Sequence, residues 1–371
     1  MSSPFKYRVE LNIMKMIFNK LIFDKIKHLI FLLLVVTILT GWECAKQVPA
    51  INDSFHTIKG FVQATTFTIK FFIPEPSNIT EENLETEIWN RLNVIDLMLS
   101  AFNDDSEISR FNRYRGTDWF NVSPETALVV DESLKISRLS EGAFDVTVSP
   151  LINLWGFGSA STANSIPSQA VIEKAKGIIG YKNLLVRLSP PALSKNIPEL
   201  SINLSAIAQG YSVDDIALLL DKKGISSYMV EIGGEIKTKG IKPDGSLWHI
   251  GVAAPKKGQE KIQLAIDLDN TSVSTSGDYQ NYFIKNGKRY SHEIDPKTGC
   301  PITHSLASVT VVNDSCMHAD AMATAILVLG PDEGYTLAIK EKLAIYFIIH
   351  DSGKFKERMT AQFEKIISGK Q

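Results

Sequence analysis

The chain has 371 residues, 44% of them hydrophobic and 22% charged, and 39 Lys and Arg against 41 Asp and Glu leave a net charge of −2. It is too apolar for a disordered chain, too poor in Pro and Gly for a fibrous one, and lacks the basic excess of a typical nucleic-acid binder, so no nucleic-acid partner is expected. Three cysteines cannot build a disulfide framework, and the length points to a globular core in one large domain or two smaller ones.

The first segment with a pattern is residues 29–42, LIFLLLVVTILTGW, which carries no charge and follows Lys15, Lys20, Lys25 and Lys27. A basic stretch before a short apolar run is the mark of an export signal. As a helix the run reaches about 21 Å, short of the ~30 Å hydrocarbon core of a bilayer. Met14 or Met16 would give a signal of more usual length. Cys44 follows the run behind Gly41-Trp42-Glu43. Acylation of Cys44, cleavage without a lipid, and retention as an anchor all fit this pattern. In each case the globular part is exported, and Cys300 and Cys316 face an oxidising compartment with nothing in the sequence to pair them.

Residues 45–56 are polar and read as a linker. Thr66–Ile73 is the first strand-like run. Leu84, Ile88, Leu92, Ile95 and Leu99 then recur at helical spacing, with Thr80 as the cap. Ser123-Pro124 starts a helix that runs to about Leu139. Helical patterns follow at 167–179 and 205–224, and strand-like runs at Tyr228–Lys237, Trp248–Ala254 and Ile262–Leu268. Tyr279–Ile284 and Arg289–Ile294 flank Asn286-Gly287, the dipeptide of a tight hairpin. Strand Ser305–Val312, helices at 317–328 and 331–342, and strand Ala344–Ile349 close the list. Strands and helices do not alternate regularly, which argues an α+β fold rather than a doubly wound parallel sheet.

Several segments bear chemistry, each with a bland reading of its own. Asp320 and Thr324 share one helix face and offer oxygen to a hard cation, although such a pair is commonly a surface feature. Asn203-Leu-Ser-Ala-Ile-Ala-Gln-Gly210 turns through small residues into a helix, where backbone groups can approach a ligand. Gly233-Gly234, inside an apparent strand, points to a bulge or close backbone approach and is no dinucleotide fingerprint. Thr275-Ser-Gly-Asp-Tyr279 reads as a polar turn. His292, near Asp295, is a candidate general base or a hydrogen-bonded structural residue. Aromatics and glycines at Leu151–Gly158 either wall a flat-ring pocket or belong to the core. Phe102–Asn112 reads as a solvated helix start.

Taken in order, these segments resemble the FAD:protein FMN transferase family, the ApbE family. The resemblance spans about Thr57 to Phe363 and rests on Ser106-Glu-Ile-Ser-Arg-Phe-Asn112, Phe144-Asp145, Trp155-Gly-Phe-Gly158, Ala206-Ile-Ala-Gln-Gly-Tyr211 and Gly233-Gly234. It continues through Thr275-Ser-Gly-Asp278, Tyr290-Ser-His292, Asp295-Pro-Lys-Thr-Gly299 and Ala319-Asp-Ala-Met-Ala-Thr324. It implies an α+β fold of two related mixed β-sheet lobes with packed helices, and the plan 1–44 signal or anchor, 45–56 linker, 57–363 transferase domain. It also implies an enzyme that splits FAD with Mg²⁺ and attaches FMN to a Thr or Ser hydroxyl of an acceptor flavoprotein, releasing AMP. The acceptor would be a subunit of an electron-transfer complex, and the site of action the periplasmic side of a bacterial inner membrane, reached through the N-terminus. An FAD pyrophosphatase giving FMN and AMP, or a non-catalytic FAD-binding protein, are the alternatives.

By the same resemblance Asp320 and Thr324 match metal-binding side chains, the Ala206 carbonyl a backbone ligand, and Ala323 a further one. His292 matches a histidine needed for transfer, here assigned to deprotonate the acceptor hydroxyl. Ala143, Phe144 and Asp145 match a flavin-contacting stretch; Gln63, Phe102, Asn203, Gln209 and Ile294 fall where the family contacts FAD. The family commonly carries Asp at the place of Asn203, Lys at that of Gln209, and Met-Gly-Thr where Gln63-Ala-Thr65 stands. The first two changes each remove a charge beside the nucleotide.

Overall fold

The computed structural model describes residues 54–74, 76–158, 166–256, 261–279 and 281–369; the expected export signal, Cys44 and most of the expected linker lie outside the described residues. Among the described residues no helix is long and apolar enough to cross a membrane. The described residues fall within one compact unit, Asp53–Gln371.

Strand β1 (Ser54–Val62) begins inside the span read as linker and pairs with β2 (Thr65–Ile73). Gln63 and Ala64 form the turn between them with φ of 52° and 58°. That left-handed pair normally carries Asn or Gly, so the turn chemistry did not announce the first strand. Phe67, Ile69, Phe71 and Ile73 of β2 face the core with a period of two. Helix α1 (Glu81–Leu99) starts where expected: the Thr80 side chain accepts from the Asn83 amide, and the expected apolar stripe is buried.

Helix α2 (Glu107–Arg113), β3 (Phe120–Asn121) and α3 (Pro124–Leu139) follow, the last opened by Ser123 and Pro124 as expected. Short helices α4 (Ser149–Leu154) and α5 (Gln169–Lys176) precede β4 (Leu184–Leu188) and β5 (Pro191–Lys195), which form a small sheet with β3. After α6 (Ser205–Lys222), the run read as one strand is two, β6 (Tyr228–Ile232) and β7 (Glu235–Lys239). Ile232 pairs with Glu235 across Gly233 and Gly234, whose φ values of 69° and 105° only glycine adopts without strain. The glycine pair is therefore a hairpin turn rather than a bulge.

Strands β8 (Trp248–Ala253) and β9 (Ile262–Leu268) pair with each other. Strand β10 (Ser272–Gly277) absorbs Thr275, Ser276 and Gly277, which were read as a turn. Asn286-Gly287 does turn a hairpin, between β11 (Tyr282–Lys285) and β12 (Lys288–Ser291), shorter than read. Strand β13 (Ile294–Asp295) pairs with β14 (Cys300–Pro301). Strand β15 (Leu306–Asn313), helix α7 (Cys316–Lys340), β16 (Ala344–Asp351), β17 (Lys354–Met359) and α8 (Ala361–Ile367) end the fold. A break at Gly330, with φ 84° ahead of Pro331, divides α7 into the two helices expected.

The main sheet runs β1-β2-β6-β7-β10-β15-β16-β17. The α+β class is as expected, but the sheet is antiparallel at every described pairing rather than mixed. Part of the cause is local: three of its neighbouring pairs, β1-β2, β6-β7 and β16-β17, are joined by two-residue turns, which only antiparallel strands permit. One face packs on the helices. Val213, Ile216 and Leu220 of α6 meet Phe67, Ile69 and Val230, and Met322, Ala325 and Ile326 of α7 meet Val309, Val311 and Phe347. The other face is covered by Trp248, Ile250, Leu268 and Phe363 from β8, β9 and α8. Strand β15 is thus buried along almost its whole length, as strands covered on both faces are.

The Ser106–Asn112 segment is a clamp rather than a solvated helix start. Ser106 caps α2 by accepting from the Ser109 amide at 2.9 Å. Asn112 holds the backbone of Ile202 on both sides, Nδ2 donating to its carbonyl at 2.8 Å and Oδ1 accepting from its amide at 2.7 Å. Buried Lys195 donates to the Leu200 carbonyl at 2.8 Å and to that of Phe111 at 3.2 Å, and desolvation lowers its pKa to about 8. Together they fix the segment that leads through Asn203 into α6. Asn112→Ala leaves a buried amide and carbonyl unpaired and should cost about 1–3 kcal/mol in urea unfolding.

Candidate functional site

Two cavities meet beside the start of α6. The first, of about 350 Å³, is lined by Ala143, Phe144, Asp145, Asn203, Ala206, Gln209, Glu235, Ser276, His292, Glu293, Ile294, Asp320 and Thr324, among others. The second, of about 660 Å³, is lined by the β1–β2 turn with Phe61, Gln63 and Ala64, and by Asn93, Asp96, Phe102 and Asn103. Ser205 and Gln209 line both. The structure thus gathers ten of the expected site residues in the first cavity and places Gln63 and Phe102 in the second. Ala323 is fully buried and lines neither.

Helix packing places the acid. Gly210 of α6 lies so close to α7 that a Cβ there would stand 2.4 Å from the Cys316 carbonyl oxygen and 2.8 Å from the Asp320 Cβ. Its amide donates to Asp320 Oδ2 at 3.0 Å. In a regular helix that amide would serve the Ala206 carbonyl, four residues back. Ala206 departs from helical angles (φ −88°, ψ 17°). Asn203 shapes the entry by accepting from the Ser205 amide at 2.9 Å and its hydroxyl at 2.6 Å. The start of α7 is pinned by Asp214, which accepts from the Ser315 hydroxyl at 2.9 Å and the Met317 amide at 3.0 Å, and from Lys237 at 2.8 Å.

One turn beyond Asp320, the Thr324 hydroxyl lies 3.2 Å from that of Ser276. Burial pushes Asp320 up to about 7. Burial also holds Glu235 well above the carboxylate range, and the neighbouring Asp320 charge pushes it the same way. Among the described residues no three His, Cys, Asp or Glu side chains converge as a metal site. The donors expected here are of another kind: one carboxylate, one hydroxyl and main-chain carbonyls. Two buried acids without a cationic partner favour a positive charge between them, so the residues present fit a hard divalent cation.

His292 faces the same cavity from the β12–β13 connection. Its Nδ1 lies 3.0 Å from the Asn281 carbonyl, which can only accept, so the proton sits on Nδ1. That leaves Nε2 to take a proton, with Glu293 Oε1 at 3.3 Å. Burial raises the Glu293 pKa and the facing histidine lowers it. The hairpin before His292 is held by Arg289, which donates to the Asp278 carboxylate and carbonyl. Beneath it Phe157, Phe283 and Tyr290 stack, and Trp155 stacks on Tyr290 while donating to the Gly299 carbonyl at 2.8 Å. The Leu151–Gly158 aromatics are therefore core that supports His292 and not a wall for a flat ring. Asp145 lines the cavity, but its oxygens are already committed, to Thr147 at 2.7 and 2.8 Å and to the Tyr181 amide at 2.8 Å.

Sequence reading missed Glu235, Glu293 and Ser276. Taking Gly233-Gly234 as a hairpin turn would have brought Glu235 back toward the helices, and Glu293 adjoins a suspected base. Nothing in the sequence joins Ser276 to Thr324.

An α+β protein with acid, hydroxyl and imidazole groups on one paired cleft has the makings of a transfer or hydrolytic enzyme for an elongated ligand. The chain belongs to the ApbE family, whose model matches residues 64–347. It is 39% identical to the FAD:protein FMN transferase of Vibrio cholerae over 88% of this chain and 95% of that protein. The corresponding protein of Haemophilus influenzae is 35% identical over 88% and 94%. Among solved structures, the flavin transferase ApbE from Vibrio cholerae superposes with a TM-score of 0.79 at 38% identity, covering 85% of this chain and 99% of that one. The apo flavinyl transferase ApbE of Pseudomonas stutzeri gives 0.79 at 36% identity, covering 85% and 97%.

A carboxyl raised by folding adds stability that is fully present below its unfolded value, near 3.8, and lost as pH rises through about 7. Metal-free Asp320→Asn should therefore melt a few degrees above wild type at pH 8, and the gain should shrink to less than half at pH 5. Thermal denaturation at the two pH values checks this.

Proposed function

We propose that the chain is an FAD:protein FMN transferase: it cleaves the FAD pyrophosphate, joins FMN to a Thr or Ser hydroxyl of an acceptor flavoprotein, and releases AMP. The observation that carries this reading is that His292 and the Asp320–Thr324 pair wall one cavity, which meets a second, larger one at Gln209. An elongated dinucleotide suits two neighbouring cavities that share Ser205 and Gln209 better than one compact ligand does. In this reading the flavin end lies along Ala143, Phe144, Asp145 and Ile294, and the adenosine end reaches Gln63 and Phe102. The pyrophosphate lies where Asn203, Gln209 and the start of α6 meet.

Ala206, Asp320 and Thr324 would hold Mg²⁺; Ala323, which lines neither cavity, has no part in this reading. When bound, the ion supplies charge neutralisation at the phosphate oxygens. His292 Nε2 takes the proton of the acceptor hydroxyl, whose oxygen forms the bond to the FMN phosphorus as the bond to the AMP oxygen breaks. The Asn281 carbonyl keeps the other ring proton in place, and Glu293 beside Nε2 favours the imidazolium that forms. Gln209 brings hydrogen bonds but no charge to the phosphates, so local donors and the bound cation carry the neutralisation. The same proposal sets the enzyme on the exported side of a bacterial inner membrane, held through its N-terminus, with an electron-transfer subunit as acceptor. The basic-then-apolar pattern of residues 15–42 supports that placement.

The test is to incubate the protein with FAD, Mg²⁺ and an acceptor subunit, and to follow flavin fluorescence on the acceptor alongside free AMP and FMN. Labelled acceptor with matching AMP is expected, abolished by excess chelator. His292→Ala should lose roughly 10²–10⁴-fold in labelling rate with FAD affinity within a few-fold of wild type. Free FMN without labelling would favour the pyrophosphatase reading, and labelling undiminished by chelator would contradict the metal role.

A further inference from the structure

One buried group in the first cavity has no assigned part in the transfer reaction. Glu235 opens β7 directly after the Gly233-Gly234 turn, is only 6% exposed, and lines the same cavity as Asp320 and Thr324. Its Oε1 accepts from the Ser274 hydroxyl at 3.3 Å. Its Oε2 is buried and has no hydrogen-bond partner. Asp320 has the Gly210 amide on Oδ2, and among the described residues neither acid is met by a Lys or Arg. The nearest basic side chain on the same strand, Lys237, is committed to Asp214 and to the Asp314 carbonyl.

A carboxylate oxygen hidden from water without a donor is costly, and a second acid facing it raises the cost. The fold nevertheless presses the two together. A Cβ on Gly233 would stand 2.8 Å from the Gln209 side chain, and one on Gly210 the same distance from the Asp320 Cβ, so the β6–β7 turn, α6 and α7 are packed without slack. Such an arrangement is relieved by a cation that both acids face.

We propose that Glu235 is a positioning carboxylate of the cation site: it faces the ion from the β7 side, raises its affinity, and favours a divalent over a monovalent ion, without touching the FAD phosphates. The proposal rests on the metal-dependent reading, and its test separates the two. Mn²⁺ serves as the probe, its binding followed by electron paramagnetic resonance with FAD present. Wild type should bind Mn²⁺, Glu235→Gln at least tenfold more weakly, and Glu235→Asp in between. In transfer assays Glu235→Gln should raise the half-saturating metal concentration by a similar factor, with kcat recovered to within a few-fold at excess metal. A merely structural role would lower kcat without that split and would not be rescued by Asp. If wild type binds no Mn²⁺, the metal reading fails and this proposal with it. If wild type binds and Glu235→Gln binds equally well, the metal reading stands and Glu235 has no part in the site.

Discussion

The approach of α6 to α7 at Gly210 is the contact on which the site depends. Only a residue without a side chain lets the two backbones come this close, because any Cβ would collide with the Cys316 carbonyl. The same approach brings the Gly210 amide to the Asp320 carboxylate. It therefore orients an acid that burial would otherwise leave without a donor. It also coincides with the departure of Ala206 from helical angles at the mouth of the cleft. One packing event thus positions the carboxylate and the neighbouring carbonyl together.

The remaining parts of the site are held from a distance by polar side chains that line neither cavity. Asp214 pins the first turn of α7, Asn112 and Lys195 fix the strand-like approach to α6, and Asp278 holds the hairpin that precedes His292. Each uses a buried or half-buried hydrogen bond to set a backbone direction. This division between side chains that line the cavities and side chains that set backbone directions accounts for motifs whose chemistry looked obscure. Ser106-Glu-Ile-Ser-Arg-Phe-Asn112 is a clamp, and Thr275-Ser-Gly-Asp278 braces two neighbours, Ser276 at Thr324 and Asp278 at Arg289.

Much of this was legible in the sequence because it is written in local rules. Caps at Thr80 and Ser123, the apolar stripe of α1, the Asn286-Gly287 turn and the break at Gly330-Pro331 each follow from the residues that make them. The order of the motifs pointed to the family. What was not legible depended on context. The Gln63-Ala64 turn uses residues that rarely take left-handed angles, so β1 passed as linker. Gly233-Gly234 looked like a bulge because periodicity cannot tell a bulge from a hairpin whose two strands continue the same pattern. The place of Glu235 beside Asp320, and of Ser276 beside Thr324, arises from strands and helices far apart in the chain, and no local pattern records it.

The measurement that tests the account most directly is the Mn²⁺ affinity of Gly210→Ala, taken on protein shown by circular dichroism to keep its secondary structure. If the α6–α7 approach builds the site, the added methyl pushes Asp320 away from the Gly210 amide, and the affinity should fall by an order of magnitude or more. Wild-type affinity in a folded Gly210→Ala protein would contradict the account.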